Sequence, residues 1–220
     1  MFRRILSYLL PINIHSRNSS ISKTIEVTWA NGQLVMDSKN TNYSYGSLQR
    51  VLRLGLKNIG FQKITNMQEI LVLGVAGGSV IKTLTDEIGC KGQITGVEID
   101  AEIIKVANEY FGLDRIPNCE IVIDDAFEYV LKTKKYYDLI IIDVFQDTTM
   151  PNFLFEQFFA DRLGFLLKKN GFILFNTMTL NGEHDARNEK YLSYFSSDSF
   201  ATRTIPRLEN HNEVIIIEKI

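Results

Sequence analysis

The sequence predicts an α/β protein built on a doubly wound, mostly parallel sheet, and three observations carry that expectation. From residue 61 onward, short apolar runs alternate with segments whose apolar residues recur at helical spacing, which is the pattern of strand and crossover helix in a parallel sheet. The run Asp138-Leu139-Ile140-Ile141-Ile142-Asp143 is apolar at every interior position, as a central strand covered on both faces requires. Four such runs end in Gly or in acidic residues, residue types suited to loops that approach a ligand closely.

Residues 1–10 set Arg3 and Arg4 before Ile5, Leu6, Tyr8, Leu9 and Leu10, and Pro11 follows. A short amphipathic helix is expected, packed on the domain or on a partner subunit, with contact to a membrane surface as the alternative; the apolar part is shorter than a signal-peptide core and lacks its small-residue cleavage site. Ile25, Val27 and Trp29 alternate with Glu26 and Thr28, then Asn31-Gly32 leads into Gln33-Leu34-Val35-Met36. Asn-Gly between such runs predicts a hairpin, because both residues tolerate positive φ. Tyr45, Leu48, Val51, Leu52 and Leu56 fall on one face of a helix that should end near Gly60. Residues 1–60 are therefore expected to form an N-terminal helix, hairpin and helix, and residues 61–220 the larger domain.

In the larger domain, Glu69-Ile70-Leu71-Val72-Leu73 is the first strand and runs into Gly74-Val75-Ala76-Gly77-Gly78. A helix bearing Val80, Ile81, Leu84 and Ile88 stops at Gly89. Ile94-Thr95-Gly96-Val97 is the second strand, after which Asp100 caps a helix with Ile103, Ile104, Ala107 and Phe111 on one face. Glu120-Ile121-Val122-Ile123 is the third, followed by Asp124-Asp125-Ala126 and a helix through Phe127, Val130 and Leu131. The fourth strand closes at Asp143. A Phe-rich helix over about residues 152–167 leads to Gly171-Phe172-Ile173-Leu174-Phe175, and Val214-Ile215-Ile216-Ile217 is the last strand. Between these two strands, the text around Asn181-Gly182-Glu183-His184-Asp185 reads as a polar loop.

Composition narrows the function. With 24 Lys plus Arg against 26 Asp plus Glu, and a formal charge of -2, the chain lacks the basic excess of a nucleic-acid binder. Cys90 and Cys119 are too few for a disulfide framework or a structural zinc site, so a cytoplasmic setting is expected. No run approaches the roughly 18 apolar residues of a membrane span. His15, His184 and His211 have no metal-binding spacing, and no metal is expected.

Ligands of open α/β sheets bind beyond the carboxyl ends of the strands, where strand order reverses. The glycine loop 74–78 lets backbone come close to a ligand and aims helix N–H groups at it. Glu98 follows Gly74 by 24 residues, the distance at which an acidic residue accepts the two vicinal hydroxyls of a ribose. Asp125 and Ala126 can present a carboxylate and an N–H to an adenine edge, though Asp125 can equally cap the next helix. Asp143 ends an apolar strand, where burial for packing alone would be unfavourable. No Gly-Lys-Ser/Thr follows the first strand, and the glycines are spaced G-x-x-G-G instead of the dinucleotide G-x-G-x-x-G. An adenosine ligand without a pyrophosphate fits best.

From about residue 25 to 178 the chain resembles the spermidine synthases, or polyamine aminopropyltransferases. The carrying text is the hairpin and helix with Asn42-Tyr43-Ser44-Tyr45, then Leu71-Val72-Leu73-Gly74-Val75-Ala76-Gly77-Gly78-Ser79-Val80, Val97-Glu98-Ile99-Asp100, Asp124-Asp125-Ala126-Phe127-Glu128-Tyr129, and Tyr137 to Asp143. The resemblance implies a seven-stranded Rossmann-like methyltransferase sheet and a donor substrate, S-adenosylmethionine or its decarboxylated form. It places Gly74, Ala76, Gly77 and Gly78 along the nucleoside, Glu98 and Ile99 at the ribose, Asp125 and Ala126 at the adenine, and Asp143 beside the donor as the catalytic carboxylate that receives the acceptor amine. Tyr43, Tyr45, Gln146 and Asp147 would line the acceptor site, and a homodimer is expected. Two departures stand out. The family's acidic residue inside the glycine loop is Gly77 here, and its D-S-S-D-P loop reads Asp143-Val144-Phe145-Gln146-Asp147-Thr148. A diamine such as putrescine needs those carboxylates, so the reading is a methyl or aminopropyl transferase for a small acceptor other than putrescine. The competing reading is a nucleoside-binding or scaffold protein without acceptor chemistry.

Overall fold

The computed structural model describes residues 2–37, 42–145, 149–209 and 211–220, the side chains of residues 42, 43, 47 and 48 excepted. An antiparallel sheet joins β1 (Ile12–Ser19), β2 (Lys23–Ala30), β3 (Gln33–Asp37) and β4 (Asn42–Ser44) in sequential order. The expected hairpin is β2–β3, with Asn31 and Gly32 both at positive φ. β1 was not expected. Only Ile12 and Ile14 give it an apolar alternation, and the rest of the strand is polar and half-buried or exposed.

The N-terminal helix α1 is shorter than expected, spanning Phe2–Leu6. The turn after it is anchored at Ser7, whose hydroxyl accepts the Gly32 N–H at 3.0 Å and whose carbonyl accepts the Asn31 N–H at 3.0 Å. Several apolar side chains of this segment nevertheless face outward: Phe2 is 77% exposed and Leu9 78%.

The large sheet has the order β10-β11-β9-β8-β5-β6-β7. Strands β5 (Glu69–Leu73), β6 (Gln93–Glu98), β7 (Cys119–Ile123), β8 (Tyr137–Ile142) and β9 (Leu167–Met178) run parallel. β11 (Asn212–Lys219) is antiparallel to β9, and β10 (Phe200–Leu208) to β11. This is the expected seven-stranded sheet, with the seventh strand at an edge. β10 is half-buried or exposed along its length and contains Pro206, which an edge strand accommodates and a central one does not; for the same reason it leaves no apolar run in the sequence.

The supposed polar loop is also structured. Helix α8 spans Gly182–Ser193, and Asn181 caps it by accepting the His184 N–H at 3.0 Å. Only Asn188 and Tyr191 of this helix are buried, so it lacks the apolar stripe by which a helix is read from sequence.

Two apolar layers sandwich the sheet. Ile70, Val72, Leu139, Ile141, Leu174 and Val214 face α2 (Gly46–Ile59), whose Val51, Leu52 and Leu56 join the same core as Ile25 and Met36 of the small sheet. Leu71, Leu73, Ile140, Ile142, Phe175 and Ile215 face the opposite layer, which includes Phe159 and Leu163 of α7 (Gln157–Leu166) and Tyr191 of α8. From β5 the chain proceeds outward through β6 and β7, then returns to β8 on the other side of β5. The crevice therefore lies between β5 and β8.

Candidate active site

β5 leaves the sheet at Gly74, where φ is +83°. A Cβ there would lie 2.2 Å from the carbonyl oxygen of Asp143, so the ends of β5 and β8 can meet only because this residue has no side chain. Hydrogen bonds from Asp143 N–H to the Leu73 carbonyl at 2.8 Å, and from Gly74 N–H to the Val97 carbonyl at 3.0 Å, tie the end of β5 to both neighbours.

Glu98 ends β6 and is 8% exposed. Its Oε2 accepts the N–H groups of Val75 at 3.0 Å and Ala76 at 3.1 Å, and its Oε1 accepts that of Asp100 at 3.1 Å. The sequence reading gives both oxygens to a ligand; in the structure the carboxylate also shapes the glycine loop, with Ala76 held at φ +46°. A carboxylate has about four lone-pair directions, which leaves room for one ligand hydroxyl without displacing a backbone bond. Burial pushes the Glu98 pKa above the usual carboxylate range, opposed by the three N–H groups. Ile99 beside it is exposed.

Asp100 caps α5 (Ala101–Val106) as expected, accepting the Glu102 N–H at 2.9 Å. It also receives the Ser19 hydroxyl and, at 3.2 Å, the Ser22 N–H, so it joins the small sheet to the large one. Burial alone would raise its pKa, but these bonds outweigh it and hold the carboxyl below its ordinary value.

Asp125 caps α6 (Ala126–Lys132), its Oδ1 accepting Phe127 N–H at 2.7 Å and Glu128 N–H at 3.4 Å. The preceding Asp124 N–H donates to the Glu98 carbonyl at 3.2 Å, which sets the half-buried Asp125 and Ala126 beside the end of β6.

Asp143 is half-buried at the end of β8. Its Oδ1 accepts the Asn176 side-chain N–H at 2.9 Å. Burial and the negative charge of Glu98 push its pKa up to about 6, against the Asn176 hydrogen bond. Glu98 and Asp143 thus stand at the ends of the two strands that flank β5, near enough for the charge of one to act on the other. Asn176 was missed in the sequence, although its signal parallels that of Asp143: a polar residue closing a buried apolar strand.

The turn from β4 into α2 lies over the glycine loop. Tyr45, at φ +71°, donates its hydroxyl to the Gly77 carbonyl at 3.1 Å and stacks on Phe111 with ring centres 4.7 Å apart. Ser44 Oγ accepts the Ser79 N–H at 3.3 Å, so one of the helix N–H groups expected to face a ligand is already taken. A Cβ at Gly77 would come within 2.9 Å of Ser44 Cβ and 3.1 Å of the Tyr45 ring. The side chain of Tyr43, and all of Gln146 and Asp147, lie outside the described residues.

Residues 53–219 match the spermine/spermidine synthase domain. The chain belongs to that family. Among curated members, the polyamine aminopropyltransferase of Vibrio vulnificus (strain CMCP6) is 31% identical over 153 residues, 68% of this chain and 50% of that protein. An eEF1A lysine and N-terminal methyltransferase homolog of Drosophila melanogaster is 29% identical over 119 residues, 49% of this chain and 17% of that protein. This synthase-family chain spans about half the length, or less, of the curated relatives it matches. In fold it is similar to spermidine synthase from Thermotoga maritima, with a TM-score of 0.73 at 20% identity over 95% of this chain and 73% of that one. Human methyltransferase-like protein 13, solved in complex with SAH, gives a TM-score of 0.65 at 22% identity over 80% of this chain and 83% of that one. The synthase fold and the methyltransferase-like sheet are therefore the same architecture.

Proposed function

We propose that this chain binds S-adenosylmethionine or its decarboxylated form and transfers the methyl or aminopropyl group to a small acceptor with a single nucleophilic amine. The observation that carries this reading is the placement of Glu98 and Asp143 at the ends of the two strands flanking β5, two carboxylates of which one has its pKa raised to about 6. Their shared negative charge favours a cationic sulfonium in the crevice. The Asp143 carboxylate accepts a hydrogen bond from the acceptor N–H and aims the nitrogen lone pair at the carbon on sulfur. As the new C–N bond forms, the C–S bond breaks, its electrons leave with sulfur as a neutral thioether, and the amine proton passes to Asp143 and then to water. Such a displacement depends mainly on positioning and one proton acceptor.

The acceptor's single charge follows from Gly77. Where the family carries an acid, this chain has a glycine whose Cβ direction is filled by Ser44 and Tyr45. A second ammonium group would therefore lose a carboxylate partner and meet a hydroxyl-bearing turn, and breaking one side of a buried charge pair costs about 3–5 kcal/mol. Incubation with decarboxylated S-adenosylmethionine and putrescine should give spermidine far below about 1 s⁻¹, the low end of ordinary turnover; formation at or above that rate refutes the acceptor assignment. Gly77→Asp should not restore putrescine use and should destabilise the fold by about 1–3 kcal/mol through overpacking.

One observation favours a non-catalytic nucleoside binder instead: the Cβ direction of Gly77, on the acceptor side of the loop, is filled by Ser44 and Tyr45. Donor turnover with any primary amine separates the two readings. The outward apolar side chains of α1 are proposed to meet a second copy of the chain, since a two-fold pairing buries such a patch. Light scattering at micromolar concentration should show a dimer that deletion of residues 2–10 converts to a monomer; a monomer in both forms contradicts this.

A further inference from the structure

We propose that Asn176 and Asn212 form an amide chain that positions Asp143, with Asn212 acting through Asn176 and neither touching the reacting atoms. Asn212 Nδ2 donates to Asn176 Oδ1 at 2.9 Å, and Asn176 Nδ2 donates to Asp143 Oδ1 at 2.9 Å. The direction of this chain follows from its far end. With Asn176 Oδ1 occupied by the Asn212 N–H, its NH₂ group turns toward β8, where it supports an ionised carboxylate more strongly than a protonated one.

The fold makes the arrangement rigid. Asn176 is fully buried in β9 opposite Val214, and Asn212 stands two residues earlier on β11, opposite Met178. Residues two apart on a strand share a face, so Asn176 and Asn212 lie diagonally on the side of the sheet that also carries Leu174 and Val214. Both amides are held by strand pairing, and no loop sets their spacing. Around Asp143, the neighbouring charge among the described residues is Glu98 from β6; β5 contributes Gly74, and β9 contributes the neutral Asn176. The Asn176 N–H is thus the group that opposes burial and the Glu98 charge in setting when Asp143 ionises.

The inference rests on the reading of Asp143 as the acceptor's proton-accepting group only for its functional meaning; the positioning itself is testable without turnover. Carboxyl ¹³C NMR titration of aspartate-labelled protein, with Asp143→Asn used to assign the signal, reads the ionisation of Asp143 directly. Asn176→Leu should move that titration upward by about one pH unit, the loss expected for a hydrogen bond to a charged group. Asn212→Leu should move it upward by less, because the Asn176 amide then becomes free to turn. Asn212→Asp, whose carboxylate accepts the Asn176 N–H and adds a nearby negative charge, should move it upward by more than Asn212→Leu does. If Asn176→Leu fails to fold, the Asn212 variants at the half-buried start of β11 carry the test. An Asp143 titration unmoved by both Asn212 variants in folded protein overturns the proposal. A shifted titration in a protein that binds no nucleoside upholds the amide chain and overturns the transferase reading instead.

Discussion

Replacing Asp143 with asparagine is expected to lower transfer about 10²- to 10⁴-fold, the usual contribution of a positioned proton acceptor, while the protein becomes more stable at neutral pH. The two effects share one cause. The Asp143 pKa stands at about 6 in the folded chain against about 3.9 for an unfolded aspartate. The folded state therefore binds more protons than the unfolded one between about pH 4 and pH 6, and the stability present below that window is lost as pH rises through it. At neutral pH the ionised carboxylate costs up to about 3 kcal/mol, which the neutral amide does not incur. Activity should run the opposite way, falling as pH drops below about 6, because only the carboxylate accepts the proton. Thermal melts and rate measurements across pH 4–8, on the parent and Asp143→Asn, check both halves; equal melting temperatures and an unchanged rate would remove Asp143 from the account.

The largest structural effect should come from Gly74→Ala. The added methyl would sit 2.2 Å from the Asp143 carbonyl oxygen, a backbone atom that cannot swing aside, at a φ of +83°. Overpacking and left-handed strain together suggest a loss of about 3–5 kcal/mol. Because the clash forces apart the strand ends that bring Glu98 and Asp143 into one crevice, ligand binding should fall with stability. Chemical denaturation, with nucleoside binding measured in the same samples, tests this. A variant that keeps its stability and affinity would show that the strand ends do not need to meet.

The central strands were legible because they are buried on both faces: β5 and β8 carry unbroken apolar runs that no surface helix would tolerate. The positions of Glu98 at the end of β6 and Asp143 just beyond β8 were legible because a carboxylate closing a buried run is conspicuous, while Asp125, past the half-buried edge strand β7, was legible as a helix cap. What could not be read were elements whose burial is partial or polar. β1 and the edge strand β10 leave no apolar run, and α8 buries Asn188 and Tyr191 where a stripe of aliphatic residues would announce a helix. The engagement of Glu98 by backbone was hidden for a different reason. Its partners Val75 and Ala76 contribute backbone N–H groups, whose direction depends on loop dihedrals and not on side-chain type. Likewise, nothing in the text near Gly77 indicates that Ser44 and Tyr45, more than thirty residues earlier, fill the space beside it.

The proposed nucleoside site at the carboxyl ends of β5 to β8 is tested most directly by calorimetry with 5′-methylthioadenosine on the parent chain and on Glu98→Ala. The account predicts saturable binding to the parent and a loss of about 1.5–3 kcal/mol in the variant, roughly 10- to 150-fold, as for a hydrogen bond to a charged group. No binding to the parent, or equal affinity in a folded Glu98→Ala, would contradict it.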